Sequence, residues 1–180
     1  MPRNKTITVR GMVAIAMVLL LALTIACARA PERGFIEIRV TDPPPPGVTS
    51  AVVHLENIEA HKVVGEEGEW ILISEVPPSF DLLDINGVEE TLAAVQTEAG
   101  SFTQIRMDVT RVEVVTADGD EITATVPSGK LKIVRPFNVE GGVTTVLTLD
   151  FDGDESLVIT GAGTALFNPV VKLLISKESP

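Results

Sequence analysis

An acidic segment near the C-terminus has the side chains best suited to metal chemistry. Residues 150–155 read DFDGDE. Alternating carboxylates can direct several oxygens at one calcium ion, which takes roughly six to eight ligands in irregular geometry. An EF-hand loop would need glycine in place of Glu155 and glutamate in place of Gly161, so the segment is not that motif. The open interpretations are a calcium site or a solvated hairpin end. The candidate metal ligands are Asp150, Asp152, Asp154 and Glu155.

Residues that could support catalysis are few. The two histidines, His54 and His61, would lie about 23 Å apart along a straight strand, too far to bind one metal ion together. Cys27 is the only cysteine, so a zinc site or a Cys–His pair lacks ligands or partners. Ser128 is not within a Gly-x-Ser-x-Gly motif. The sequence therefore predicts no catalytic residues and no required cofactor, and we expect that the protein is not an enzyme.

Aromatic side chains, which carbohydrate-binding surfaces use as platforms, are also scarce. The chain has one tryptophan, Trp70, and no tyrosine. Trp70 begins a predicted strand and could face either the core or the solvent. Glycan binding is therefore an alternative without direct support from the sequence.

The N-terminus has the composition of an export signal. Arg3, Lys5 and Arg10 are basic, and Gly11–Ala26 is uncharged and strongly apolar. This order is typical of a secretory signal peptide over residues 1–26. The apolar run is slightly short for a permanent span, which needs roughly 20 residues.

Cys27 is the candidate lipidation site. The residues before it resemble a bacterial lipobox, in which a small residue, here Ala26, precedes a cysteine that receives a diacylglycerol. Thr24 stands where that motif usually has leucine. The sequence leaves open whether Cys27 is acylated or the N-terminal helix remains uncleaved as an anchor. Either predicts attachment to a membrane, followed by a tether over residues 27–33.

The charge excludes one class of partner. The whole chain has a net charge of −11, and without the three basic residues of the leader 11 Lys and Arg stand against 25 Asp and Glu, which gives −14. Such a surface repels phosphate backbones, so we expect no nucleic-acid partner. The expected partners are the membrane, through the lipid or helix, and an unknown extracellular ligand.

The predicted domain covers residues 34–180, and from Ala51 onward it shows the two-residue periodicity of strands with one buried face. The apolar phase shifts near Glu56-Asn57, which predicts a β-bulge. It shifts again near Thr110-Arg111, where the strand could bend or pass between two sheets. Asp118-Gly119 predicts a hairpin turn. A short helix is predicted over Asn86–Val95 from its apolar spacing. The strand-like runs include Phe35–Val40, Val52–Val64, Trp70–Ile73, Phe80–Leu83, Ser101–Thr116, Ile122–Val126, Val143–Phe151 and Ala165–Ile175.

This order of elements predicts an all-β fold. It favours an antiparallel β-sandwich, immunoglobulin- or transthyretin-like, of about nine strands with one short helix, preceded by the N-terminal signal or anchor helix. Since one cysteine cannot form an internal disulfide, packing must supply the stability.

Several short blocks follow one another in the order typical of a known family. They are Ile38–Asp42, Asp81–Leu83, Gly100–Arg106, Val126–Gly129 with Leu131-Lys132, Leu149–Asp152 and Asn168–Val171. In these blocks the chain resembles DUF4382, a domain of unknown function found in many bacterial and archaeal lipoproteins. The resemblance implies export and a β-sandwich, and it brings no catalytic residues.

These observations predict an exported lipoprotein, anchored on the extracytoplasmic side of a membrane, whose β-sandwich binds or scaffolds an unknown partner without catalysis. The alternative is a calcium-stabilised adhesion or carbohydrate-binding surface domain.

Overall fold

The computed structural model describes residues 30–41, 47–160 and 163–179. The predicted signal segment and Cys27 lie outside these residues, and the predictions made for them stay predictions. The contacts divide the chain into two units, Met1–Pro31 and Glu32–Pro180. Within the described residues, no helix has the length and apolar character needed to cross a membrane.

The regular elements of the second unit are, in the described residues, twelve strands and one four-residue helix. The elements are β1 (Arg33–Thr41), β2 (Val48–Lys62), β3 (Glu69–Leu72), β4 (Ser79–Asp81), β5 (Glu90–Glu98), β6 (Gly100–Thr116), β7 (Glu121–Thr123), β8 (Lys130–Val139), β9 (Thr144–Phe151), α1 (Gly153–Ser156), β10 (Leu157–Ile159), β11 (Ala165–Phe167) and β12 (Val171–Glu178).

Two sheets form the layers of the fold. The four-stranded sheet has the order β12-β9-β1-β5. The six-stranded sheet has the order β3-β2-β6-β7, with β4 also paired to β2 and β8 to β6, while β10 and β11 form a small separate pair. The prediction of an all-β sandwich is confirmed. One detail differs from a purely antiparallel arrangement, because β1 and β9 pair in parallel, with Phe35 beside Thr144.

The core contains side chains from both sheets. Ile36, Ile38 and Val40 of β1 are fully buried, as the alternation of the strand requires. Phe80 of the six-stranded sheet meets Phe151 of the four-stranded sheet, with ring centroids 5.3 Å apart. Burying a side chain of this size contributes about 1.5–3 kcal/mol.

The predicted bulge in the second strand is confirmed. The pairing of β2 with β6 shifts between Glu56 and Glu59, and Asn57 adopts a left-handed backbone with φ 51°. The predicted phase shift near Thr110-Arg111 is also present, because His54 pairs with Arg111 but Leu55 pairs with Val109. Both irregularities lie in the long β2–β6 pair of the six-stranded sheet, and irregularities of this kind bend the bulged strand.

The helix predicted over Asn86–Val95 is wrong. Residues from Glu90 onward form β5, which pairs antiparallel with β1. The register shifts between Ile38 and Arg39, so that Leu92 is an extra, unpaired residue of β5. This bulge interrupts the two-residue alternation and creates an apolar spacing that imitates a helix. The only helix in the described residues is α1.

Candidate binding face

The acidic segment that predicted calcium binding forms the end of β9 and the start of α1. Asp152 is the N-cap of α1, and its Oδ1 accepts a hydrogen bond from the Glu155 backbone N–H at 3.1 Å. Asp154 and Glu155 lie in the first turn, where the helix dipole favours negative charge. Asp150 lies in β9, before the cap. Asp152, Asp154 and Glu155 therefore stabilise a helix terminus. In the described part of the chain, no group of three or more His, Cys, Asp or Glu residues is placed to hold a metal ion, and the calcium site stays a prediction.

The two histidines of β2 belong to separate local arrangements. His54 Nε2 lies 2.9 Å from the Oε2 atom of Glu113. His61 Nδ1 lies 2.9 Å from the hydroxyl of Thr103, and its ring packs edge-on against Trp70 with centroids 4.9 Å apart. Trp70 is half-buried, so it does not offer the open aromatic platform that the sequence left as an alternative.

The outer surface of the six-stranded sheet is rich in polar side chains. We use the name polar face for the outward-pointing side chains of β2, β3, β6 and β8. The strand register forms one row across it, from Leu72 through Glu59 and Arg106 to Lys132. A second row places Asp108 beside Lys130. Residues distant in the sequence thus form one continuous surface.

Arg106 is held in a fixed orientation at the centre of this face. Its guanidinium carbon lies 3.6 Å from the centroid of the Trp70 ring, a cation–π contact. Its Nε donates a hydrogen bond to Glu59 Oε2 at 2.6 Å. Within the described residues its terminal nitrogens Nη1 and Nη2 have no hydrogen-bond partner, and its side chain is 45% exposed. The ring and the carboxylate therefore fix the guanidinium while its outer edge stays available.

The bulge in β2 contributes the second part of the face. Asn57 Nδ2 donates to Asp108 Oδ2 at 2.9 Å, and Lys130 Nζ donates to the other oxygen at 2.7 Å. The hydrogen bond from Lys130, with that from Asn57, holds the pKa of the Asp108 carboxyl below its ordinary value against the opposing effect of burial. Asparagine tolerates a left-handed backbone better than most residues, but such a conformation still costs about 1–3 kcal/mol.

A groove of about 540 Å³ runs between these two rows. Its volume falls in the range of about 300–1,000 Å³ that small-molecule sites occupy. Its charged lining is three cations against two acids, although the whole chain is strongly acidic. The charged lining residues are Glu59, Arg106, Asp108, Lys130 and Lys132.

Two other grooves lack this combination. One of about 350 Å³ lies between β5 and the segment after β3, and is lined mainly by Leu72, Val76 and Ala94 with their neighbours. Another, of about 310 Å³, lies beside Asp150 and Asp152. Neither contains a guanidinium fixed by an aromatic ring, so the groove on the polar face is the stronger candidate for a binding site.

Comparison with known proteins gives the family of the chain but no activity. No curated protein matches it. A candidate cell adhesion protein from Bacteroides ovatus ATCC 8483 is a structural neighbour with a TM-score of 0.25 and 11% sequence identity, and the match covers 79% of this chain and 44% of that one. Residues 33–169 match the family described as Domain of unknown function (DUF4382). That match covers most of the described strands, from β1 to β11, and the chain belongs to the DUF4382 family.

Proposed function

We propose that this chain is an exported, membrane-anchored binding protein without catalytic activity, and that the polar face binds its ligand outside the cytoplasm. The basic start, the apolar run and Cys27 support export and anchoring. The scarcity of histidine and cysteine supports a binding role over an enzymatic one.

The fixed guanidinium of Arg106 is the observation that carries the proposal. A donor group already held in place by Trp70 and Glu59 loses little conformational freedom when a ligand binds, which favours affinity. The same groove contains the left-handed Asn57. It also places Lys132 directly opposite Arg106 on the neighbouring strand. The left-handed backbone of Asn57 and the like charges of Arg106 and Lys132 on neighbouring strands both cost stability, and both lie in this groove. Features that cost stability commonly occur at functional sites.

The single tryptophan provides a direct assay of ligand binding. Because the chain has one tryptophan and no tyrosine, its intrinsic fluorescence reports on Trp70 alone. We expect saturable changes in emission when the full chain, purified in detergent, is titrated with the correct class of small molecule from a panel of sugars, sugar acids and short peptides. Lys172→Gln, which removes an exposed lysine of β12 outside the groove, should respond like the wild type. Emission unchanged by every compound would contradict a binding role for this face.

Anchoring has a separate test. Cells fed a palmitate analogue should label the wild-type chain but not Cys27→Ser. If the wild type remains unlabelled and mass spectrometry finds its leader intact, the anchor is an uncleaved helix and not a lipid. A leader removed from an unlabelled, soluble chain would contradict anchoring altogether.

A further inference from the structure

We propose, as a refinement that rests on the proposed function, that the polar face recognises the carboxylate of an acidic saccharide through Arg106 and Lys132. The terminal nitrogens of Arg106 would bind the two carboxylate oxygens, and the Lys132 ammonium would lie beside them.

The geometry of Arg106 suits a carboxylate in particular. A guanidinium presents parallel N–H donors that match the two oxygens of a carboxylate. Glu59 uses the Nε edge, and Trp70 covers one face of the plane. What remains is the outer edge formed by Nη1 and Nη2, whose two parallel N–H donors can bind a carboxylate in a bidentate manner.

Lys132 adds a second reason for an anion at this position. It is the Cα partner of Arg106 across the β6–β8 pair, so the two cationic side chains leave their strands about 4.5–5.5 Å apart. Like charges placed directly opposite each other destabilise a sheet. Within the described residues Lys132 forms no ion pair, and Glu59 forms its ion pair with Arg106 and not with Lys132. An anion between the two cations would remove this repulsion.

The second row of the groove favours a saccharide over a simple carboxylic acid. Asn57, Asp108 and Lys130 offer both acceptors and donors beside the two cations. Sugar hydroxyls can donate and accept at once, so they match such a mixed set. The ionised Asp108 accepts hydrogen bonds from hydroxyls and repels a second carboxylate. The matching ligand is therefore a sugar unit with one carboxylate and adjacent hydroxyls.

The charge of the whole chain limits the ligand further. A net charge of −11 opposes the approach of long polyanions. Short acidic saccharides experience less of this repulsion, and their attraction to the two cations should weaken with added salt.

Calorimetric titration of the full chain in detergent tests the proposal with a matched set of ligands. The probes are trigalacturonic acid, its neutral triamide, and a tripeptide with a free C-terminal carboxylate. We expect the acid to bind at least about tenfold more tightly than the triamide, since hydrogen bonds to a charged group contribute more than neutral ones. Tighter binding of the tripeptide would overturn the assignment to saccharides.

Variants separate the contribution of the bidentate guanidinium geometry of Arg106 from that of its charge. Arg106→Gln should weaken binding of the acid roughly 10- to 100-fold. Arg106→Lys keeps the charge but not the bidentate geometry, and its affinity for the acid should still be several-fold lower than that of the wild type. Lys132→Gln should weaken it less. Arg111→Gln, on the same strand but outside the groove, should bind like the wild type, and far-ultraviolet circular dichroism should show that each variant folds.

The outcomes distinguish this inference from the proposed function. Equal binding of acid and triamide, with a Trp70 fluorescence response to both, would overturn the carboxylate preference and leave the polar face as a binding site. An unchanged affinity of Arg106→Gln for the acid would overturn the role of the Arg106 guanidinium in binding the carboxylate. If none of the three probes binds, the carboxylate proposal fails. The proposed function fails only if no compound of the wider panel changes the Trp70 emission either.

Discussion

Arg39 is the side chain whose removal should most disturb the outer surface of the four-stranded sheet. Its Nε donates to Glu37 at 2.8 Å, and its terminal nitrogens reach Glu178 at 2.8 and 2.9 Å and Glu89 at 3.3 Å. Val146, the neighbour of Glu37 in the parallel pair, is fully buried although it lies outside the main core cluster. The Arg39 network therefore lies on the same face as this buried apolar residue and links β1 to β12.

The magnitude of the loss follows from burial. The side chains of Arg39 and Glu37 are only 19% and 18% exposed. A hydrogen bond between charged groups at such a site contributes about 1.5–3 kcal/mol. The contact with the more exposed Glu89 adds about 0.2–1 kcal/mol. Arg39→Met, which removes the charge but keeps an unbranched apolar side chain, should therefore lower the free energy of unfolding by about 2–4 kcal/mol.

Thermal and urea unfolding measure this loss. For a domain of this size the melting temperature should fall by about 5–15 °C. Arg111→Met is the matched control, because Arg111 is 56% exposed and pairs only with Glu113 in the described residues; it should cost less than about 1 kcal/mol. Equal effects of the two substitutions would refute the view that burial makes the Arg39 network strong.

The same network predicts a pH dependence. The hydrogen bond from Arg39, helped by that from Thr91, holds the pKa of Glu37 below its ordinary value of 4.5 against the effect of burial. Arg39 likewise lowers the pKa of Glu178. A carboxyl whose pKa is lower in the folded state stabilises the fold above its unfolded pKa and loses that effect as pH falls through the folded value. The stability difference between wild type and Arg39→Met should therefore be full at pH 6 and shrink below about pH 4.5. A constant difference down to pH 2.5 would contradict this assignment.

Three further predictions concern single residues. Asn57→Gly should fold at least as well as Asn57→Ala, because glycine adopts φ 51° without strain while both lose the bond to Asp108; a less stable glycine variant in urea would contradict the left-handed backbone. Gly34→Ala should destabilise the domain by about 1–3 kcal/mol or more, since an added Cβ would lie 2.1 Å from the Glu140 carbonyl oxygen, and an unchanged melting curve would refute that close approach. Asp152→Ala should cost about 1 kcal/mol through the lost N-cap, equally with and without 5 mM calcium, whereas a loss seen only with calcium would favour the metal site.

Local patterns made much of the fold predictable. The change of phase from Val53 and Leu55 to Ile58 and Ala60 located the β2 bulge, because alternation depends only on neighbouring residues. The parallel pairing of β1 with β9 could not be predicted in this way. Which distant strands become neighbours depends on how two sheets cover each other, and no local spacing records that choice.

The candidate site was the less predictable part. A cap signature was present in the acidic segment, where Asp152 is followed three residues later by Glu155, but the same carboxylates also suggested a metal site. The groove on the polar face was missed, because Glu59, Arg106 and Lys132 lie on three separate strands. The sequence did indicate that each of these residues points outward, because each alternates with apolar neighbours in its strand. Only the register of β2, β6 and β8 combines them into one row.

Whether the polar face binds the ligand is tested most directly by nitrogen-15 NMR of the full chain in detergent micelles during titration with trigalacturonic acid. Binding at this face should shift the side-chain Nε–Hε signal of Arg106, the indole signal of Trp70 and the amides around Asn57 and Lys132, while β12 signals stay in place. Shifts confined to the groove between β5 and the segment after β3, or to the Asp150–Asp152 groove, would contradict the assignment of the polar face as the binding site.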